Sequence, residues 1–157
     1  MDNEVIYNEL VRQYEEGNNA DNTINKKIDF LLLVSVAFIG YFFTVDNFLQ
    51  IPIKGSLLVK HIFGAGIISL IISLFYTFKA FLLMKYKRGL KIDKVEMVVK
   101  KHPQILVYQV LNFALKNAIK YNYEKQKTKN KYFFKGFILL LITIFFFILA
   151  KILFLIP

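Results

Sequence analysis

The chain has 157 residues, 56% of them hydrophobic and 17% aromatic, with 21 Lys and Arg against 11 Asp and Glu, a formal charge of +10. That hydrophobicity excludes a disordered chain and is high for a small water-soluble domain, and the length leaves room for one domain. The absence of Cys excludes a disulfide framework, a thiol nucleophile and Cys-ligated zinc or iron–sulfur, and the two His, His61 and His102, stand far apart in sequence.

In chain order, residues 3–16 read as a helix with Ile6, Leu10 and Tyr14 on one face, ended by a glycine cap and turn at Gly17-Asn18-Asn19. A second helix is expected from Asp21 or Asn22, with Ile24 and Ile28 carrying helical spacing into the uncharged run Phe30–Val45 of 16 residues. Residues 1–28 thus form cytoplasmic N-terminal helices and 29–49 a first span, lengthened by Asn47–Leu49, before an external loop at 50–60. The uncharged run Ile62–Phe78, 17 residues, anchors a second span at 61–84. A spanning helix needs roughly 20 mainly apolar residues, about 17 at the lower end. Residues 85–132 read as a basic cytoplasmic helical region. Within it, Lys91–Lys101 forms an amphipathic helix with Ile92, Val95 and Val99 on one face, and Pro103 breaks it. From Gln104 a new helical pattern (Leu106 or Val107, Leu111, Ala114, Ala118, Tyr121) runs through Lys131-Tyr132 into the apolar stretch Gly136–Ala150. A third span is expected at 133–157, with Lys151 snorkelling to the interface. Its "FILLLITIFFFILA" is bulky almost all round and reads as lipid-facing. The expected fold is an all-α membrane protein with three transmembrane helices and helical cytoplasmic extensions.

Charge orients these spans. Residues 1–29 carry −4, residues 46–60 carry +1, and residues 79–135 carry +12, with fifteen of the basic residues. The positive-inside rule places 79–135 in the cytoplasm, the N-terminus with it, and the C-terminus outside. The polar, acidic start does not resemble a signal peptide, so the first span is expected to act as an uncleaved anchor.

The sequence holds no G-x-S-x-G, Walker A, Rossmann or H-E-x-x-H pattern, and an enzyme is not expected; no cofactor or metal is expected either. The basic region has two readings. Topology and contact with anionic lipid account for most of its lysines. Alternatively, Asn112, Lys116, Lys120, Tyr123 and Lys127 follow helical steps and make a candidate ligand face, with lysines for a phosphate and Tyr123 for a base. Two Arg and no recognition helix argue against nucleic acid. At the inner membrane border, Lys27 and Asp29 precede the first span. Hairpin arithmetic puts Asp29 at the depth of Lys79, so Asp29 and Lys79 are an expected charge pair. On the second span Gly66, Ser69, Ser73 and Thr77 form a stripe of small and hydroxyl residues that serves close helix packing or lines a pore.

Two segments carry a resemblance. "INKKIDFLLLVSVAFIG" (Ile24–Gly40) and "NKYFFKGFILLL" (Asn130–Leu141) resemble the approaches to the first and last spans of Pycsar-type transmembrane effectors of bacterial antiphage defence. Lys27 fits that family's Asp-x-Lys-Ala lead-in, and Lys131 and Tyr132 fit its Lys-Tyr, whereas Asn25 and Ile28 depart from it. The SLATT group of defence effectors is similar in layout. The resemblance implies a homo-oligomeric effector in the lipid bilayer. A cyclic nucleotide made by a partner cyclase binds its cytoplasmic helices, and the spans then permeabilise the inner membrane to arrest or kill the infected cell; a protein trigger is the variant within this class. A holin-like pore former and a non-enzymatic structural subunit of a membrane complex are the competing classes. The cytoplasmic residues before the first span and between the second and third argue for a sensor over a holin.

Overall fold

The computed structural model describes residues 3–44, 46–83 and 104–155; nearly all are helical and none of them lies in a strand. Four helices follow in order: α1 (Asn3–Thr44), α2 (Asp46–Lys54), α3 (Leu57–Leu82) and α4 (Gln104–Leu155). The amphipathic helix expected at Lys91–Lys101 lies outside the described residues. The helix read from Gln104 into the last apolar stretch corresponds to α4, which runs 52 residues without a break.

The turn expected at Gly17-Asn18-Asn19 is absent: α1 is helical through it for 42 residues. A glycine inside a helix costs about 1 kcal/mol relative to Ala, and each Asn about half of that. The compensation is a stripe that passes through the glycine in register. Leu10, Asp21, Ile24, Ile28, Leu31 and Ser35 are buried, and Tyr14 and Gly17 fill the gap between Leu10 and Asp21 half-buried, so steps of three and four continue unbroken. Local cap chemistry is overruled by burial of a continuous face.

The loop expected at 50–60 is also mostly helix. α2 occupies Asp46–Lys54, and only Gly55 and Ser56 separate it from α3. The Gly55 N–H donates to the Ile51 carbonyl at 3.0 Å, and a Cβ at Gly55 would stand 2.6 Å from that same oxygen, so the connection requires glycine. Ser56 caps α3, its Oγ accepting from the Val59 N–H at 3.4 Å.

Two of the long helices, α3 and α4, share one device. α3 buries Val59, Gly66, Ser69, Ser73, Thr77 and Ala80, and α4 buries Leu115, Asn122, Lys129, Gly136, Thr143 and Ala150 at steps of seven. A seven-residue repeat keeps one seam facing its partner along a whole helix, as in coiled coils. These seams are built from small and polar residues, while Phe30, Leu33, Ile68, Ile71, Phe145 and Ile148 are exposed. That inversion suits lipid, where apolar side chains face the solvent and small residues let backbones approach. Among the described residues, two helices are long and apolar enough to cross a membrane, Leu57–Leu82 and the apolar part of Val107–Leu155.

The chain forms two compact units, Met1–Asn25 with Leu83–Thr128, and Lys26–Leu82 with Lys129–Pro157. In the first, α1 and α4 run parallel: Tyr7 meets Tyr108 edge-on with ring centroids 5.8 Å apart, and residues 13–17 lie beside residues 119–126. In the second, α3 and α4 are antiparallel, and Phe38, Phe42 and Phe63 surround the buried Phe147 ring at 5.9, 4.8 and 5.2 Å. Ile51 of α2 closes this core together with Val59 and Ala150.

Candidate functional sites: a helix interface and a cleft between helices

In the second unit, the stripe on α3 is the interface with α4. The Ser69 hydroxyl donates to the Leu139 carbonyl at 3.0 Å and the Ser73 hydroxyl to the Gly136 carbonyl at 2.7 Å, while Thr77 bonds back to the Ser73 carbonyl at 2.9 Å. The backbone of α4 comes this close because Gly136 has no side chain: a Cβ there would stand 2.5 Å from Thr77 Oγ1 and 3.3 Å from the Ser73 carbonyl oxygen. Gly66 receives the edge of Phe147, whose ring would meet a Cβ at 2.9 Å. The stripe Gly66, Ser69, Ser73, Thr77 therefore packs, and each hydroxyl that would be unsatisfied in lipid finds a carbonyl. In "FILLLITIFFFILA" the bulky residues Phe137, Ile138, Leu141, Phe145 and Ile148 are exposed, as a lipid-facing surface would be, but they do not cover the helix all round. α4 offers its own small stripe, Gly136, Thr143 and Ala150, which is buried.

The expected Asp29–Lys79 pair is also corrected. Asp29 is exposed, as is Lys27, and Asp29 has no ion pair among the described residues. Lys79 instead places its ammonium 4.8 Å from the centroid of Tyr132 and 5.8 Å from that of Phe75. Hairpin arithmetic equalises depth along the helices but does not address azimuth, and Asp29 lies off the buried stripe of α1. Tyr132 stacks on Tyr76 at 6.1 Å, and Lys135 lies 5.2 Å from the Tyr76 ring. Two tyrosines and two lysines thus form a belt of the kind found at a membrane–water interface, where rings take the headgroup level and cations attract their faces. The Lys131-Tyr132 dipeptide noted in the sequence contributes the tyrosine at the centre of this belt.

In the first unit, the five residues proposed as one ligand face separate. Lys116, Lys120 and Lys127 are exposed, and Tyr123 is 62% exposed, whereas Asn112 is buried with its Oδ1 unpaired among the described residues. Tyr123 alone of the five lines a cleft of about 130 Å³. One wall of that cleft is Ile119, Asn122, Tyr123 and Gln126 of α4; the other is Gln13, Tyr14 and Gly17 of α1. Gly17 contributes open space, since a Cβ on it would meet nothing within 4 Å. Asn122 is only 7% exposed, and neither Oδ1 nor Nδ2 has a hydrogen-bond partner among the described residues. Sequence reasoning passed over it because helical steps were counted from lysines. The seven-residue repeat Leu115–Asn122–Lys129 is the signal that marks it as buried.

On the α1 side, Arg12 bridges Glu9 at 2.8 Å and Glu16 at 3.2 Å. The Arg12 guanidinium holds the Glu9 carboxyl below the usual carboxylate range, aided by a bond from Gln13, and Glu9 in turn raises Arg12. Two of the N-terminal carboxylates are thereby occupied within their own helix, on the wall that also carries Gln13. No protein family, curated protein or solved structure matches the chain.

Proposed function

We propose that the protein is an antiphage-defence membrane effector with three spans, the apolar part of α1 joining α3 and the second half of α4 in a bacterial inner membrane. Its cytoplasmic helices receive a cyclic nucleotide made by a partner cyclase, and its spans, as a homo-oligomer, then permeabilise the membrane. The observation that carries this reading is the division of α1 and α4: each helix contributes one stretch to a polar, lysine-bearing unit and the next to an apolar unit. Both helices so provide covalent continuity between a surface that can bind an anion and segments that can cross lipid. The resemblance at Ile24–Gly40 and Asn130–Leu141 falls where these helices pass from one unit to the other, and supports the same assignment.

The span interface bears on the mechanism. Ser69, Ser73 and Thr77 all spend their hydroxyls on carbonyls of α3 and α4. This stripe therefore offers no free hydroxyl to line a path, and a leak along it requires these bonds to exchange or several copies to assemble. A ligand drives that change only by binding the open arrangement more tightly than the closed one. Purified protein in dye-loaded liposomes, titrated with cyclic mono- and oligonucleotides, is expected to leak dye with one of them. Silence to all of them, with harmless overexpression in cells, sinks the effector reading in favour of a structural subunit.

A further inference from the structure

The geometry points to Asn122 as the residue that reads a nucleobase edge in the α1–α4 cleft. This rests on the reading above for its ligand and goes beyond it in naming the site and the recognition chemistry. A buried amide that finds no partner is expensive, because it has surrendered its bonds to water without replacement. Asn122 is in that condition at both Oδ1 and Nδ2, and it lines the cleft. One acceptor beside one donor is the complement of a flat ring presenting an adjacent donor and acceptor, the pattern by which Asn pairs bidentately with adenine.

The rest of the cleft fits a ring. Tyr14 and Tyr123 supply an aromatic face from each helix, and the missing side chain at Gly17 leaves room between the walls. Lys120 and Lys127 stand exposed on α4 outside the cleft, on other faces of the helix from Asn122. The opposite wall is not competitively acidic, because Glu9 and Glu16 are held by Arg12. The repeat places this amide at a core position of α4, where a polar residue is retained at a cost in stability.

The test uses the full chain in detergent and in liposomes. Binding of the 3′,5′-cyclic monophosphates of adenosine, guanosine, cytidine and uridine is measured by calorimetry beside thermal unfolding and dye leakage, for the wild type, Asn122→Leu and Asn122→Asp. Asn122→Leu, which removes both orphaned atoms at similar volume, is expected to raise the Tm without ligand and to weaken binding roughly tenfold or more. Asn122→Asp keeps the shape but offers acceptors only, and is expected to move preference toward guanine, whose N1–H and N2–H are adjacent donors. A merely structural asparagine would not redirect base preference. Unchanged affinity and preference in both variants, with wild-type leakage intact, overturns the cleft and leaves the nucleotide trigger standing. Failure of the wild type to bind or leak with any of the four overturns the cleft for these ligands, and leakage with cyclic oligonucleotides then still separates it from failure of the effector reading. A lower Tm in Asn122→Leu shows the amide satisfied by water in the resting state and counts against the inference.

Discussion

Gly136 shows how much one absent methyl group decides. Its position lets the Ser73 hydroxyl reach the α4 backbone at 2.7 Å, and a Cβ would collide with Thr77 Oγ1. Gly136→Ala is expected to destabilise the protein by about 1–3 kcal/mol through overpacking. Thr77→Ala, which removes the opposing oxygen, should recover part of that loss in the double variant. Thermal unfolding in detergent of the two single variants and the double checks this, and strict additivity would show that the two residues do not meet. Tyr132 makes a second local case. Its ring lies under Lys79 and against Tyr76, so Tyr132→Leu removes a cation–π contact of roughly 0.5–1 kcal/mol along with the stack. Asp29→Asn should leave the Tm unchanged, since Asp29 is exposed and makes no ion pair among the described residues.

α1 carries its own predictions. Gly17 lies inside the helix with open space about its Cα, so Gly17→Ala is expected to add about 0.5–1 kcal/mol of stability, read from the Tm. A helix hinged at that glycine would respond in the opposite direction. The first turns of α1 should also be acid-sensitive. Arg12 holds the Glu9 pKa below its ordinary value, so the folded pKa lies beneath the unfolded one. A carboxylate so depressed stabilises the helix fully above its unfolded pKa, about 4.3, and loses that contribution as pH falls through the folded value. Amide protection factors at residues 5–16 should therefore fall below about pH 4, and Arg12→Gln should remove that acid-dependent component. High salt should act in the same direction at neutral pH, because both partners are largely exposed.

Across the chain, the prediction that matters most is topology. With three spans, a reporter fused after Pro157 should be active only outside the inner membrane, and one inserted near Thr128 only in the cytoplasm. Two spans, with α1 peripheral, would leave these two reporters on opposite sides as before and move only the N-terminus, to the side opposite residue 128; protease protection of an N-terminal tag measures that directly. The exposed apolar faces of α1, α3 and α4, with Phe30, Ile71 and Phe145 each more than 60% exposed, are otherwise a continuous aggregation hazard in water.

Apolar runs and their lengths were legible from residue types alone, as were the all-helical class and the start of α4 after Pro103. These follow from hydropathy and backbone chemistry, which are local. The segregation of charge along the chain is likewise local in origin. The partners of each residue were not legible in this way. Asp29 and Lys79 match in depth, yet Lys79 turns to Tyr132, because facing depends on where each residue falls around its helix. Gly17 has the composition of a cap, yet the stripe from Leu10 to Ser35 carries the helix past it. Lys129 reads as one more topology charge, yet it is fully buried. The stripe on α3 was legible as a packing seam, whereas the seam of α4 escaped notice because a search for helical periodicity looks for apolar residues on the buried face. In a lipid-facing fold the buried face is the small and polar one, so Asn122, Gly136 and Thr143 declare their roles only once the helices are set side by side.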